Sequence, residues 1–129
     1  MTRINVVPVT ELSDQMLGAE YRELPRVVGL ARGAAFRGEK PGDYMGSGYT
    51  LGPGHVQFFY PRLLWVIQRY DSIVRECTRR GRKVNYPFLD TSGIPPEWFN
   101  SWRAPPEALE LNRQRLKIRG NYKQARTRT

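Results

Sequence analysis

Two groups near the start of the chain have the chemistry needed for nucleophilic attack and proton transfer. The chain begins Met1-Thr2-Arg3, and methionine is readily removed before a residue as small as threonine. Removal leaves a free α-amine on Thr2, and an unperturbed α-amine has a pKa of about 7.7–8.0, so part of it is neutral at neutral pH. Nearby arginines such as Arg3 and Arg22 are expected to lower that pKa further. Such an amine can attack a sugar aldehyde carbon and form an imine.

The second group is Glu23, which lies in the stretch AEYRELPRV between Arg22 and Arg26. At 100° per residue, Gln15, Arg22 and Arg26 share one helical face, and Glu23 lies at its edge. A carboxylate between two guanidinium groups is expected to stay ionised, and it can assist proton transfer beside an amine. On the helix alone, an ordinary surface ion-pair cluster is the favoured explanation of the pattern. Residues 2–9 can likewise be a segment that simply threads along the core.

A long amphipathic helix over 11–36 is predicted to position this face. Thr10 or Ser13 can cap its start, and Gly33 and Gly38 mark its end. Pro25 lies inside the pattern and should kink or loosen the helix, because proline removes a backbone hydrogen bond. Apolar residues at a 4-3-4-3 spacing predict the buried stripe: Leu17, Tyr21, Leu24, Val28 and Ala31.

The rest of the chain predicts two more helices joined by long loops. A glycine-rich loop spans 38–54, a second helix runs from about 61 to 80, an irregular segment covers 82–104, and a third helix runs from 105 to about 119. The second helix is expected to bury Leu63, Ile67, Tyr70, Val74 and Cys77, with Gly81 as its C-terminal cap. The irregular segment contains three large aromatic residues, Trp98, Phe99 and Trp102. They could stack on bases, but aromatic residues so close to prolines more often pin a loop onto the core, and we favour that role. The fold class predicted is all-α, in one compact domain over 1–129 with a basic tail at 120–129 that can be flexible.

Charge is the strongest overall signal. The 129 residues include 21 Lys and Arg against 12 Asp and Glu, for a formal net charge of +9. A domain this basic usually binds a polyanion, and nucleic acid is the default partner. From 112 to 129 there are seven basic residues and no acid, and Arg115 and Arg119 fall on one helical face. Phosphate contact is therefore favoured there over a merely solvated face.

Several classes of protein are excluded or disfavoured. A single cysteine, Cys77, rules out an internal disulfide and fits a reducing compartment. Together with the single histidine, His55, it is too little for a Cys/His zinc site. The sequence shows no signal-peptide pattern and no stretch long enough to span a membrane. We therefore expect a protein of the cytoplasm.

Several stretches resemble the pyrimidine-dimer DNA glycosylase/AP lyase family of the phage endonuclease V type. The stretches are TRIN at 2–5, ELSDQ at 11–15, AEYRELPRV at 19–27, LGPGHVQFFY at 51–60, ECTRRG at 76–81 and SGIPPEW at 92–98. The resemblance covers most of 2–119 and implies an all-α domain whose N-terminal segment threads between helices. It also implies an enzyme that binds double-stranded damaged DNA and needs no metal or cofactor. Such an enzyme is expected to be a monomer, associated with the nucleoid or encoded by a phage and acting in its host.

The resemblance implies a role for each matching residue. Thr2 matches the nucleophilic α-amine and Glu23 the carboxylate that orients the intermediate and assists elimination. Arg3, Arg22 and Arg26 match groups that grip phosphates, and Gln15 matches a polar residue near the flipped nucleotide, an adenine opposite the lesion. Arg115 and Arg119 fall where the family has basic residues on its last helix.

The chain departs from the phage pattern at two places. Met16 stands where the phage enzyme has histidine, and the tail is shorter and retains only Tyr122 as an aromatic. Other damaged bases or bare abasic sites are therefore open as substrates. A basic nucleic-acid-binding module without catalytic activity and a basic structural protein of the ribosome or nucleoid are the further alternatives.

Overall fold

The computed structural model describes residues 4–46 and 48–118 of the chain. Over these residues the fold is helical and contains no strand, only one isolated bridge between Arg62 and Phe99. The helices are α1 (Asp14–Phe36), the short α2 (His55–Phe58), α3 (Leu63–Arg79) and α4 (Pro106–Ile118). Three 3₁₀ turns lie at Val9–Glu11, Pro41–Tyr44 and Pro96–Trp98. The predicted all-α class is confirmed, with α2 as an additional short helix.

Helix α1 begins at a side-chain cap and runs for 23 residues. The Ser13 hydroxyl accepts a hydrogen bond from the Met16 backbone N–H at 3.1 Å, which satisfies one of the free donors of the first turn. Of the two predicted caps, Ser13 is thus the one used. The helix continues through Pro25 and ends at Phe36. Gly38, two residues later, turns the chain away with a φ of +86°, which glycine adopts at little cost.

Helix α3 packs against α1 and forms the other half of the core. The predicted stripe on this helix was partly wrong. Leu63, Tyr70 and Cys77 are buried as expected, but Val66 and Ile73 are fully buried while Ile67 and Val74 are only half-buried. The predicted and the observed buried residues both follow a helical spacing, so periodicity alone could not determine the rotation of the helix about its axis.

Aromatic side chains fasten the long loops to this helical core. Trp98 is 1% exposed, and the Trp102 ring lies 5.0 Å from that of Phe58 and 5.8 Å from that of Tyr49. The prediction that these aromatics pin a loop rather than stack on bases is confirmed for both tryptophans. They join the glycine-rich loop, α2 and the segment before α4 into one packed unit.

No helix within residues 4–46 and 48–118 combines the length and apolar character that crossing a membrane would need.

Candidate active site and nucleic-acid interface

The outward face of α1 carries the predicted polar residues. Gln15, Arg22 and Arg26 are all exposed, and Arg26 Nη1 donates to Glu23 Oε2 at 2.8 Å. The Glu23 side chain is only 12% exposed, whereas that of Arg26 is 61% exposed. Glu23 is therefore a shielded carboxylate at the border between the core and an open arginine face. This arrangement follows from the i, i+3 spacing of the pair, which the sequence already shows.

Residues 4–7 are buried, and Asn112 of α4 holds their backbone. Asn112 Oδ1 accepts from the Val6 and Val7 N–H groups at 2.8 and 3.2 Å, and Asn112 Nδ2 donates to Asn5 Oδ1 at 2.8 Å. One side chain thus satisfies three buried polar groups of this segment, so its course is fixed by α4.

A buried ion pair between α1 and α3 fixes the other side of the same segment. Arg69 Nε donates to Glu20 Oε2 at 2.7 Å, and Arg69 Nη1 donates to the Val7 carbonyl at 2.5 Å. Asn5 Nδ2 donates to Glu20 Oε1 at 3.1 Å. Three helices therefore hold residues 5–7 through one connected polar network. Thr2 and Arg3, the predicted nucleophile and phosphate contact, lie outside the residues that the structure describes.

His55 is a buried residue of the site that sequence reasoning considered only as a metal ligand. It is 3% exposed, and its Nδ1 atom lies 2.6 Å from the Thr50 carbonyl. Its Nε2 atom has no partner of normal hydrogen-bond geometry among the described residues, although the Ile4 backbone is near enough to favour the protonated ring. The signal in the sequence was its place in GHVQFFY, between a glycine-rich turn and an aromatic run.

Two of the predicted site residues affect the pKa of His55. Burial lowers this pKa, and the charge of Arg115 lowers it further. The backbone of Thr50 and Ile4 and the charge of Glu23 raise it. Glu23 of α1 and Arg115 of α4 therefore both act on this ring through their charges, with opposite effects on its pKa.

The basic residues of α4 are less uniform than the sequence suggested. Arg113 forms an ion pair with Glu11, Nε to Oε1 at 2.8 Å, so the expectation of seven unopposed charges was wrong at this position. The acid comes from a turn 102 residues earlier, outside the window in which charges were counted. Arg115 is half-buried, and Arg119 lies outside the described residues.

A cavity of about 580 Å³ opens beside the arginine face. Its floor is the stacked pair Tyr21 and Tyr70, with ring centroids 5.7 Å apart, and Arg22 lies at its edge. Tyr86 and Phe88, 71% and 84% exposed, form the opposite side. Both tyrosine hydroxyls bond to the Tyr86 backbone, which holds the loop in place. The sequence did not reveal this cavity, because it forms between segments 65 residues apart.

Metal ligands are not gathered in this region. Among the residues that the structure describes, no three His, Cys, Asp or Glu side chains form a group that could hold a metal ion. Cys77 is buried, and burial raises the pKa of its thiol, which fits the predicted role as a core residue.

Fold and site define a basic helical domain with an open arginine face, a shielded carboxylate and an adjoining aromatic cavity. The sequence of residues 1–90 matches the family model of the pyrimidine dimer DNA glycosylases. The chain belongs to this family, which confirms the resemblance. The family consists of DNA glycosylases, so the substrate class is DNA and the process is DNA repair. The match includes α1, α2 and α3 and ends before α4, so it does not reach Arg115.

Proposed function

We propose that the chain cleaves the glycosidic bond at cyclobutane pyrimidine dimers through an imine on the Thr2 α-amine, and then cuts the strand by β-elimination. The observation that carries this proposal is the shielded position of Glu23 beside an open arginine face. The charge of Glu23 acts on His55, whose ring also interacts with the Ile4 backbone, two residues after Thr2. A reactive amine and a carboxylate can thus meet at one edge of the core.

In the first step the neutral amine of Thr2 attacks C1′ of the 5′ nucleotide of the dimer. A carbon–nitrogen bond forms as the glycosidic bond breaks, and the electron pair of that bond leaves with the pyrimidine, which takes up a proton. Ring opening then gives an imine between the amine nitrogen and C1′. Arginines around the site favour the neutral, nucleophilic form of the amine.

In the second step the imine makes the C2′ proton acidic. Glu23 assists removal of this proton, the electron pair forms the C2′–C3′ double bond, and the C3′–O bond breaks. The departing phosphate keeps the electron pair, so the strand is cut on the 3′ side of the sugar that carries the imine. Hydrolysis of the imine returns the free amine. A positioned acid–base group contributes about 10²- to 10⁴-fold to such a step.

Basic and polar side chains dock the duplex over this site. Arg22 and Arg26 on α1 contact phosphates beside the lesion, with Gln15 near the expelled nucleotide and Arg115 on the α4 side. Arg3 and Arg119, which lie outside the described residues, are proposed to extend the same contacts. Support comes from the exposure of the three α1 residues and from the net charge of +9.

The expelled nucleotide is proposed to enter the aromatic cavity beside Arg22. A dimer already weakens base pairing, so expelling a nucleotide there costs little. Tyr86 and Phe88 expose most of their ring area toward solvent, and aromatic rings favour stacking with a base. A volume of about 580 Å³ is ample for one base.

Borohydride trapping tests the imine. With a dimer-containing duplex and borohydride, the protein should become covalently attached to the DNA, and a duplex without lesions should give no adduct. A version with the α-amine acetylated should neither form the adduct nor cut the strand, whereas one extended at its C-terminus should do both. Undiminished cutting by the acetylated protein would refute the mechanism.

A further inference from the structure

Two guanidinium groups converge over a residue of α1 that has no side chain. Gly18 belongs to the outward half of the helix, yet it is buried. A Cβ atom placed there would lie 3.1 Å from Arg82 Nη2 and 3.5 Å from Arg22 Nη1. The two nitrogens are therefore no farther apart than the sum of these distances. The absence of a side chain at this position allows both groups to lie against the helix.

Neither of these two guanidinium groups forms an ion pair with a carboxylate in the part of the chain that the structure describes. Arginines nearby behave differently. Arg79 and Arg80 both pair with Glu76, and Arg80 also pairs with Asp14. Two like charges side by side repel each other, so the arrangement becomes favourable when an anion lies between them.

Arg82 is held in this position rather than extended into solvent. Its Nη1 atom donates to the Asp14 carbonyl at 2.7 Å, which leaves Nη2 directed over Gly18. Arg22 lies one helical turn after Gly18 and reaches the same place while also bordering the aromatic cavity. The site is thus continuous with the arginine face and faces the same solvent region.

We propose that Arg22 and Arg82 together bind one backbone phosphate of the DNA duplex over Gly18. This inference rests on the proposed function, to which it adds a phosphate contact that positions the strand beside the cavity. Guanidinium groups bind phosphate oxygens through paired, charge-assisted hydrogen bonds, and two of them can share one phosphate group. Arg82 thereby extends the DNA contacts from α1 to the segment that follows α3.

The salt dependence of binding tests this site independently of catalysis. Affinity for an undamaged duplex is measured over a series of salt concentrations for the wild type, Arg82→Gln and the control Arg75→Gln. Arg75 loses the same charge, but it is 79% exposed and paired with Asp71. We expect Arg82→Gln to make the negative slope of log K against log salt shallower by about 1, and the control to leave this slope unchanged. Equal slopes for all three proteins would overturn the proposal.

Two further variants test whether the phosphate is shared. Gly18→Leu keeps the net charge, improves helix propensity and fills the space beneath both guanidinium groups, so it should weaken duplex binding several-fold without lowering Tm. The double variant Arg22→Gln/Arg82→Gln should lose less affinity than the product of the two single losses. Wild-type binding by Gly18→Leu, or multiplicative losses, would overturn the shared site. If these binding results hold while a dimer-containing duplex stays uncut, the proposed function fails and the phosphate site stands.

Discussion

The ion pair of Glu23 with Arg26 is one-sided in its exposure to solvent. Arg26 is open to solvent while the carboxylate is almost covered, so the guanidinium can turn to a phosphate without exposing Glu23. Exposed ion pairs contribute little to stability. In the proposed mechanism Arg26 binds phosphate and Glu23 assists proton transfer, so two neighbouring side chains divide these tasks.

We predict that Glu23→Gln lowers single-turnover strand cleavage by about 10²- to 10⁴-fold, because an amide cannot accept the C2′ proton. Affinity for the duplex should not fall, since Arg26 is retained and no longer held by a carboxylate. Rapid-quench assays and fluorescence anisotropy measure the two quantities. Asp71→Asn, which breaks an exposed pair with Arg75, is the matched control and should leave cleavage unchanged. Full cleavage by Glu23→Gln would indicate that another group removes the proton.

His55 gives a second prediction at the residue scale. Burial lowers its pKa, and the titratable or charged groups that face it are Glu23, Arg115 and the half-buried Tyr49. Below the ordinary histidine pKa of 6.5, the unfolded chain therefore binds a proton that the folded chain does not. Stability should fall as pH drops through this region and be constant above it.

The measurement is urea denaturation at about pH 7.5 and about pH 5.5. His55 is the only histidine, so its titration can be followed directly by NMR. In His55→Asn, whose amide can still donate to the Thr50 carbonyl, the difference between the two pH values should disappear. A wild-type stability that is equal at both values would show that the ring is protonated in the folded protein as readily as in the unfolded chain.

At the scale of elements, α4 serves mainly to hold the N-terminal segment through Asn112. We predict that Asn112→Ala destabilises the fold by about 3 kcal/mol, because two backbone N–H groups and the Asn5 amide lose their buried partner. Cleavage should fall as well, since the segment that leads to Thr2 is no longer fixed. Chemical denaturation and the cleavage assay provide the two readouts.

Gln114→Ala is the control for this prediction. Gln114 is exposed, and its one side-chain hydrogen bond within the described residues is to Glu110 of the same helix. Its loss should therefore change stability by less than about 0.5 kcal/mol. Equal effects of the two substitutions would mean that α4 acts through general packing and not through the Asn112 contacts.

Sequence reasoning succeeded where the deciding interactions are local. The cap at Ser13, the turn at Gly38 just after α1 and the pairing of Glu23 with Arg26 each involve neighbours within a few positions. It failed where partners are distant along the chain. Asn112 reads as one polar residue of a basic helix, and only tertiary structure brings it to residues that precede it by more than a hundred positions.

The same distinction between local and distant partners explains which parts of the candidate site could be predicted from the sequence. Glu23 and the arginines of α1 follow from helical periodicity, and the roles assigned to them came from the resemblance. Arg82 and the aromatic cavity could not be predicted, because they depend on how the segment after α3 folds back over α1. That return is fixed by Tyr21 and Arg32 side chains bonding to loop backbone, a pattern without periodicity.

At the scale of the whole molecule, the net charge of +9 is divided between paired and unpaired cations. Arg37, Arg75 and Arg113 each pair with an acid, whereas Arg22 and Arg82 have no carboxylate partner in the described part of the chain. Counterion release depends on the cations that reach phosphates and not on the total charge. For the salt dependence of DNA binding, the position of a cation should therefore matter more than its contribution to the net charge.

We expect the basic tail to bind phosphates, and therefore predict that Arg126→Gln/Arg128→Gln reduces the magnitude of the slope of log K against log salt by about 2. The matched variant Arg37→Gln/Arg75→Gln loses the same charge from two paired positions and should keep the wild-type slope. Binding is measured with undamaged duplex, and cleavage of a dimer-containing duplex at low salt should be retained by both variants, since Thr2 and Glu23 are intact. If both pairs lowered the slope equally, net charge alone would govern binding, and the separation between contacting and solvated cations would have to be abandoned.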